Sequence, residues 1–458
     1  MKNKHLLFVV ITCLIQCPLL HAQYWSELGG LNSLKANYGI NTVCSDPSGN
    51  IYAAGLFNNG SRLYVAKWNG SIWSELGGFN GLAAFAEIKS ICSDANGNIY
   101  AGGDFKNSLG NYYIAKWNGI NWSELGGVNS TFVGYGHNVS SICSDLNGNI
   151  YAATGPIVQK WNGTSWSILG GAFQQNGATQ IVLSICSDTF GNIYAAGTLK
   201  NALGKCCVAK WNGSSWIEYG GVNNVIPNNV TSPENYNIIR SICCDASGNV
   251  WAAGSFVNTS GSYYVSKING NGCLNLGGPF GTLQASYGIQ AICNDSNGNL
   301  YAGGTFTNSA GKHFVAKFDG NIWNELDAPN GMNAQFSGNI RCISKDATGN
   351  IYAGGYFANF LGKYFVAKYN ATVGIEELAN AKKLFNIYPS PTQSKINVKA
   401  DVKLIGSNYI VYDNLGKSVL IGQINSENTS VELSNLPSGI YTINIGDNLK
   451  QSFKVIKE

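Results

Sequence analysis

The 458-residue sequence predicts an all-β protein: a seven-bladed β-propeller closed by an N-terminal strand, followed by a small C-terminal β-sandwich. Three observations carry this expectation. A unit anchored by an aspartate recurs seven times, each copy parses into four short strands, and the pieces at the two ends of the array are permuted. Four short antiparallel strands per repeat make one propeller blade, and a closed ring uses every strand.

The second copy shows the unit best: Ile91-Cys-Ser-Asp94-Ala-Asn-Gly97-Asn98-Ile-Tyr100-Ala-Gly-Gly, then Ala115-Lys116-Trp117-Asn118-Gly119, then Trp122-Ser-Glu-Leu. The anchors Asp46, Asp94, Asp145, Asp188, Asp245, Asp295 and Asp346 are 43 to 57 residues apart. Strand one ends at the Asp, and Asp-x-x-Gly-Asn is a tight hairpin in which Gly takes a positive φ. Strand two is Ile-Tyr-Ala-Gly-Gly, whose small residues let a neighbouring sheet approach. Strand three carries Ala-Lys-Trp, and Asn-Gly turns it into strand four. No stretch of the units has the apolar periodicity of a helix, which excludes a helical solenoid.

The array opens with an isolated fourth strand, Tyr24-Trp25-Ser-Glu, and its seventh unit stops after strand three at Lys368-Tyr-Asn370. The N-terminal strand is therefore expected to complete the last blade and to cover two edges that would otherwise invite aggregation. Ile375-Glu-Glu-Leu378, a degenerate local fourth strand, is the alternative. Blade three lacks about seven residues between strands two and three, so its loop should be clipped. Blade five replaces Trp-Ser-Glu by Gly272-Cys273-Leu274, so its outer strand should be the least well packed.

Composition narrows the function classes. Charged residues are 12%, Gly numbers 57 and aromatics reach 12%, a balance that suits a turn-rich extracellular β fold. A net charge of +4 with scattered basic residues gives no nucleic-acid footprint and no polybasic membrane patch. Residues 1–22 read as a secretory signal, with Lys2 and Lys4, the apolar run Leu6 to Ile15, and cleavage after Ala22. That run is about half the roughly 20 residues a membrane span needs, so the mature chain should carry no transmembrane segment. Eleven mature cysteines remain, an odd number. Six recur at one strand position, Cys44, Cys92, Cys143, Cys186, Cys243 and Cys293, and read as small packing residues rather than a metal ring. No cofactor or metal is expected.

Candidate chemistry is sparse. Asp94-x-Asn96-x-Asn98 opens like a calcium loop, but Phe105 stands where the bidentate Glu belongs. The aspartates are expected to cap their hairpins and to pair with the equally recurrent Lys67, Lys116, Lys160, Lys210, Lys267, Lys317 and Lys368, because a semi-buried charge needs compensation. Residues that break the repeat are His137, Asp104, Glu234, His313 and Arg341, and no nucleophile elbow, HExxH pair or phosphate loop accompanies them. No catalytic residue is assigned. Recognition is expected on the segments joining strand four to the next strand one, where Tyr38, Phe85, Tyr135, His137, Phe173, Tyr236, Tyr287 and Phe336 lie among Asn, Gly and Gln. These rings either meet an extracellular glycan or protein, or tuck under their own loops. The expected function is that of a non-enzymatic binding or adhesion propeller, with a polysaccharide-acting hydrolase or lyase as the alternative.

The motif Asp-x-x-Gly-Asn-Ile-Tyr-Ala-Gly, followed by a strand and a Trp, resembles bacterial propeller repeats of the kelch and two-component-regulator type over residues 24 to about 370. It implies architecture, not activity. After a linker at 373–383 the repeats stop. Tyr388-Pro389-Ser-Pro391, Tyr412-Asp413-Asn-Leu-Gly416 and Leu436-Pro437-Ser-Gly439-Ile-Tyr441 look like the type A C-terminal sorting domain of the type IX secretion system of Bacteroidetes, over residues 384–458. The resemblance implies export to the periplasm by the signal, passage across the outer membrane with the secretion machinery as partner, and then release or attachment at the surface. Tyr-Pro-Ser-Pro departs from the usual Tyr-Pro-Asn-Pro. An immunoglobulin-like sandwich with a binding role is the other reading of this tail.

Overall fold

The aspartate hairpins fold as the repeat predicts. In a computed structural model, Asp94 Oδ1 accepts the backbone N–H groups of Asn96 and Asn98 at 2.9 Å, and Oδ2 accepts Asn98 Nδ2 at 2.7 Å and the Tyr100 hydroxyl at 2.9 Å. Gly97 closes the turn at φ 79°, a region where a Cβ is strained. The structure describes residues 24–458 apart from 129, 131, 133–135, 220–237, 246, 258–260, 270–271, 276–282, 284, 296, 327–335, 360, 371–384, 401, 403–404, 414–417 and 446–450. The expected signal segment and linker lie outside the described residues. The chain divides into two compact units, Met1–Thr372 and Val373–Glu458. No helix among the described residues is long and apolar enough to cross a membrane.

In the first unit, the described residues form seven four-stranded antiparallel sheets. Blade 2 is typical, with Ile88–Ser93, Ile99–Gly103, Ala115–Trp117 and Trp122–Glu124 in spatial order. Strand one of each blade packs against strand one of the next, and that of blade 7, Ile340–Lys345, against that of blade 1, Ile40–Ser45, so the sheets form a closed ring. The N-terminal strand Tyr24–Glu27 pairs with Ala367–Asn370 and supplies the fourth strand of blade 7. Blade 3 passes from Thr154 directly to Ile157 through Gly155-Pro156, the clipped loop that the shortened sequence demands.

Two features join the blades. The first is close approach: a Cβ added at Gly102 would lie 2.6 Å from Val139 Cγ1 of the next blade, so only the smallest residue lets the sheets meet there. The second is a belt of hydrogen bonds. The indole N–H groups of Trp25, Trp73, Trp122, Trp166 and Trp216 donate to the carbonyl of the leucine ending strand four of the preceding blade, at 2.8–3.2 Å. At the inner rim, Ser45, Ser93, Ser144 and Ser187 each donate to the equivalent carbonyl of the preceding blade at 2.6–2.9 Å. Cys244 replaces that serine in blade 5 and forms a disulfide with Cys186 of blade 4. The other recurrent cysteines pack as small residues into the apolar clusters between blades, and burial pushes the Cys293 thiol up to about 12.

The expected Asp–Lys pairs do not form in blades 1 to 6 among the described residues. Ion pairs there instead join Arg62 to Glu75, and Lys89 to Glu87 and Asp104. Each Asp is already filled by its own hairpin donors. The lysines instead lie across the strand pair from the aromatic residue of strand two. Lys67, Lys116, Lys160, Lys210, Lys267 and Lys317 place Nζ 5.0–5.9 Å from the ring of Tyr52, Tyr100, Tyr151, Tyr194, Trp251 and Tyr301, a cation–π contact. Lys368 holds the same register opposite Tyr352. Where the ring is a tyrosine, its hydroxyl is the one that donates to the aspartate. The tyrosine therefore stands between the two charges.

In the second unit, Phe385–Tyr388, Lys395–Ala400 and Asn428–Glu432 form one sheet, and Ser418–Gln423, Asn408–Tyr412, Gly439–Ile445 and Gln451–Lys457 the other. Alternate residues from both, including Ile396, Val398, Val411, Val431, Ile443 and Val455, share one core, the period-two pattern of a sandwich.

Two outcomes are expected. Trp122→Phe should lower the unfolding free energy by about 1 kcal/mol through its lost hydrogen bond. Trp323→Phe should cost less, because the Trp323 N–H, which follows the blade lacking a strand-four Trp, is buried with no partner; denaturant titration compares the two. Asp346 is the second case: burial pushes its carboxyl up, but donors from Asn350, Thr348 and Tyr352 outweigh this and hold it below the ordinary carboxylate range. A depressed folded-state pKa gives stability that is complete above the unfolded value and lost as pH falls through the folded one. The stability difference between the wild type and Asp346→Asn should be full above about pH 4 and shrink on further acidification.

Candidate functional site

Strand one carries a bulge in every blade. In blade 2, Ile88 pairs with Gly103 and Ser90 with Gly102, so Lys89 has no cross-strand partner. The same shift recurs in the other six. A bulge re-aims a side chain and is common beside binding sites. Two local features hold it. A Cβ at Gly103 would lie 2.0 Å from the carbonyl oxygen of Glu87, so blade 2 needs glycine where the bulge crosses strand two, whereas the clipped blade 3 carries Thr154 at that place. The hydroxyl after the bulge then accepts a backbone N–H from the next blade, as Thr42, Ser90, Ser141, Ser184 and Ser241 do at 3.0–3.2 Å.

The bulged residues are Asn41, Lys89, Ser140, Leu183, Arg240, Gln290 and Arg341, one from each blade. All seven line a single open cavity of about 600 Å³ at the mouth of the central channel, together with Glu87, His137, Asn138, Gly155 and Ile181. The hairpins and blade seams are largely uniform, whereas this position differs from blade to blade.

The charges of the cavity are segregated. On blade 2, Lys89 Nζ lies 2.8 Å from Asp104 Oδ1 and 4.0 Å from Glu87 Oε2, and Glu87 Oε1 accepts Asn41 Nδ2 at 2.8 Å. On blades 5 and 7 stand Arg240 and Arg341. Arg240 Nε donates to Ser255 Oγ at 3.1 Å, and the Arg341 guanidinium lies 5.4 Å from the centre of the Tyr356 ring. Burial, and then the charge of Arg341, lower the pKa of Arg240. The His137 ring rests on Gly155, where a Cβ would approach it to 2.5 Å; the clipped turn of blade 3 makes that place.

The aromatic residues expected on the connecting segments separate into groups. Tyr38, Phe85 and Tyr287 are exposed. Phe173 is half-buried, its ring 5.2 Å from Trp216. Phe336 takes the tucked-in alternative rather than facing a ligand: it is 5% exposed, packs 4.4 Å from Phe357 and 5.4 Å from Trp25, and bridges to His313. Tyr135, Tyr236 and Glu234 lie outside the described residues. His313 is structural, its Nδ1 lying 3.1 Å from the Phe306 carbonyl, and burial lowers its pKa. Of the described repeat-breaking residues, only His137 and Arg341 line the cavity, with Asp104 behind Lys89. Asn41, Lys89, Ser140, Leu183, Arg240 and Gln290 are not singled out by the sequence reading, although the disagreement of the seven repeats at one strand position marks them.

In the second unit, Tyr388 is exposed and donates to Asn428 Oδ1 at 3.3 Å, and Pro389 and Pro391 both follow cis peptide bonds. Leu436 packs on the sandwich core, and the Tyr441 hydroxyl donates to the Pro437 carbonyl at 2.8 Å, locking the turn that leads into Gly439. Tyr412 ends its strand with Asp413 beside it, both half-buried; Gly416 lies outside the described residues. Residues 386–458 match the family described as secretion system C-terminal sorting domain. The tail is a type IX sorting domain. A protein carrying it is secreted or held at the cell surface, and the sorting domain is the part that meets the secretion machinery.

Among solved structures, the extracellular domain of a hybrid two-component system from B. thetaiotaomicron is similar at 14% identity and a TM-score of 0.50, over 95% of this chain and 57% of that one. PorZ, a surface component of the type IX secretion system of Porphyromonas gingivalis, is similar at 12% identity and a TM-score of 0.48, over 91% of this chain and 59% of that one. The chain thus spans less than two thirds of either structure, and the first likeness speaks to the propeller fold alone. No curated protein matches the chain.

Removing residues 384–458 should leave the protein in the periplasm, as read by cell fractionation. Unchanged surface delivery of the truncated chain would contradict the role of the sorting domain.

Proposed function

We propose that the propeller is a non-enzymatic binding module, carried outside the cell by its sorting domain, that holds an extracellular glycan or protein at the channel mouth and the connecting segments around it. One observation carries this reading: a repeat that is uniform in its hairpins and blade seams diversifies at the seven bulged positions that face one cavity. Uniform positions serve the scaffold, while a rigid ring with varied inward side chains is how a scaffold presents a binding surface. Exposed Tyr38, Phe85 and Tyr287 add aromatic faces on the segments that enter strand one.

A second reading, a polysaccharide-acting hydrolase or lyase, draws on the two carboxylates Glu87 and Asp104 at the same mouth. Against it stands their engagement: both are held on the single ammonium of Lys89, and Glu87 also accepts from Asn41.

The test is a glycan array and a pull-down with the mature chain, followed by product analysis. Retention of a ligand that is recovered at unchanged mass is the expected result. Release of new reducing ends or unsaturated sugars, abolished by Glu87→Gln or Asp104→Asn, would replace binding by catalysis.

A further inference from the structure

We propose that the cationic side of the channel mouth is an oxyanion subsite in which Arg240, Gln290 and Arg341 take the carboxylate or sulfate group of an acidic saccharide. The inference rests on the binding reading above and specifies the ligand class.

The two guanidiniums are unspent. Arg240 donates through Nε to Ser255, and neither of its Nη groups meets an acceptor among the described residues. The Arg341 guanidinium lies over the Tyr356 ring, 5.4 Å from its centre, and donates to no protein acceptor among the described residues. Neither is in an ion pair there. The acids of the mouth, Glu87 and Asp104, stand on blade 2, three blades from Arg240 and two from Arg341, and are held on Lys89. Two cations thus face one cavity with no counter-charge paired to them among the described residues, and each lowers the cost of bringing in an anion.

The subsite is built rather than incidental. The Tyr356 ring under Arg341 is itself seated on Gly39 of the next blade, where a Cβ would come within 2.8 Å of it. The ring that carries the guanidinium is thereby held in place, and a planar guanidinium fork suits a carboxylate or sulfate, whose oxygens accept paired N–H donors. Gln290 stands at the bulge between the two arginines in blade order and adds an amide.

The saccharide class follows from the remainder of the lining. Asn138 offers an amide with both a donor and an acceptor, and Ser140 Oγ, whose own proton goes to the Val182 carbonyl at 2.7 Å, can still accept; such partners suit the mixed donor and acceptor hydroxyls of a sugar. The volume of about 600 Å³ fits a small polar ligand.

The experiment is calorimetric titration of the mature chain with glucuronate, with glucose as its uncharged counterpart, and with sodium sulfate as competitor. Glucuronate should bind roughly tenfold or more tightly than glucose, in line with charge-assisted hydrogen bonds being about twice as strong as neutral ones. Sulfate should displace it. Arg240→Gln and Arg341→Gln should each weaken glucuronate about tenfold with unchanged thermal unfolding, whereas Lys106→Gln, whose ammonium lies over Tyr112, should have no effect. Equal binding of glucose and glucuronate, or binding indifferent to both arginines, would overturn the oxyanion subsite and leave the binding reading intact. Failure of every saccharide on the array, together with a captured protein that depends on the two arginines, would overturn the saccharide class in favour of an acidic side chain. Absence of any ligand in array and pull-down would count against the binding reading itself.

Discussion

Closure of the ring is the constraint on which the rest of this molecule depends. A cavity lined by one residue from every blade exists only if blade 7 meets blade 1. That meeting is made by the antiparallel pairing of Tyr24–Glu27 with Ala367–Asn370. Trp25 anchors the strand twice, through its N–H on the Leu326 carbonyl and through its ring on Phe336 and Tyr369. At the inner rim Ser45 reaches the Lys345 carbonyl at 2.9 Å, and Gly354 leaves room for Ile40, which its Cβ would meet at 2.7 Å. The seam between the last and first blades therefore uses the same devices as the seams inside the array, and no open strand edge is left there.

Within the ring, repeated and varied positions divide the work. The aspartate carboxylate gathers four donors from its own hairpin, so it compensates its burial locally. The lysine then contacts the tyrosine ring and leaves the carboxylate alone. Edge-on pairs such as Phe57 with Tyr64 and Phe105 with Tyr113 fill the base of the long connections at about 5 Å. With most of the stability assigned to these recurrent contacts, the bulged position of strand one bears no contact common to all blades, although Asn41 and Ser140 reach carbonyls of the next blade. Blade 5 shows what a lapse costs: with Trp251 for tyrosine and Cys273 for tryptophan, Trp251 Nε1 and the neighbouring Trp323 Nε1 are both buried without partners, while a disulfide ties this blade to blade 4.

Much of this was legible before any coordinates. Hairpin chemistry is local, so Asp-x-x-Gly-Asn and Asn-Gly announce themselves, and counting strands revealed the orphan at Trp25. The Asp–Lys expectation failed, and one of two open alternatives was decided, for tertiary reasons. The Asp–Lys pairs were inferred from charge balance alone, and a tyrosine hydroxyl six residues along the chain had already filled the acid. Phe336 looks like its exposed counterparts Tyr38, Phe85 and Tyr287, yet its segment bridges to His313 and is drawn into the seam. The tail was readable because its turns carry function-specific spacing, with Pro437 and Tyr441 placed to bond each other.

The sequence by itself determined the blade as a unit, the number of units, the permuted closure and the destination of the chain, because each is set by contacts between residues near in sequence or by a motif at one end. Only the tertiary structure decided which residues face the channel. A single-residue bulge shifts the period-two alternation of strand one, and that shift, invisible to alternation read along one strand, turns Arg240, Gln290 and Arg341 from three blades toward one cavity.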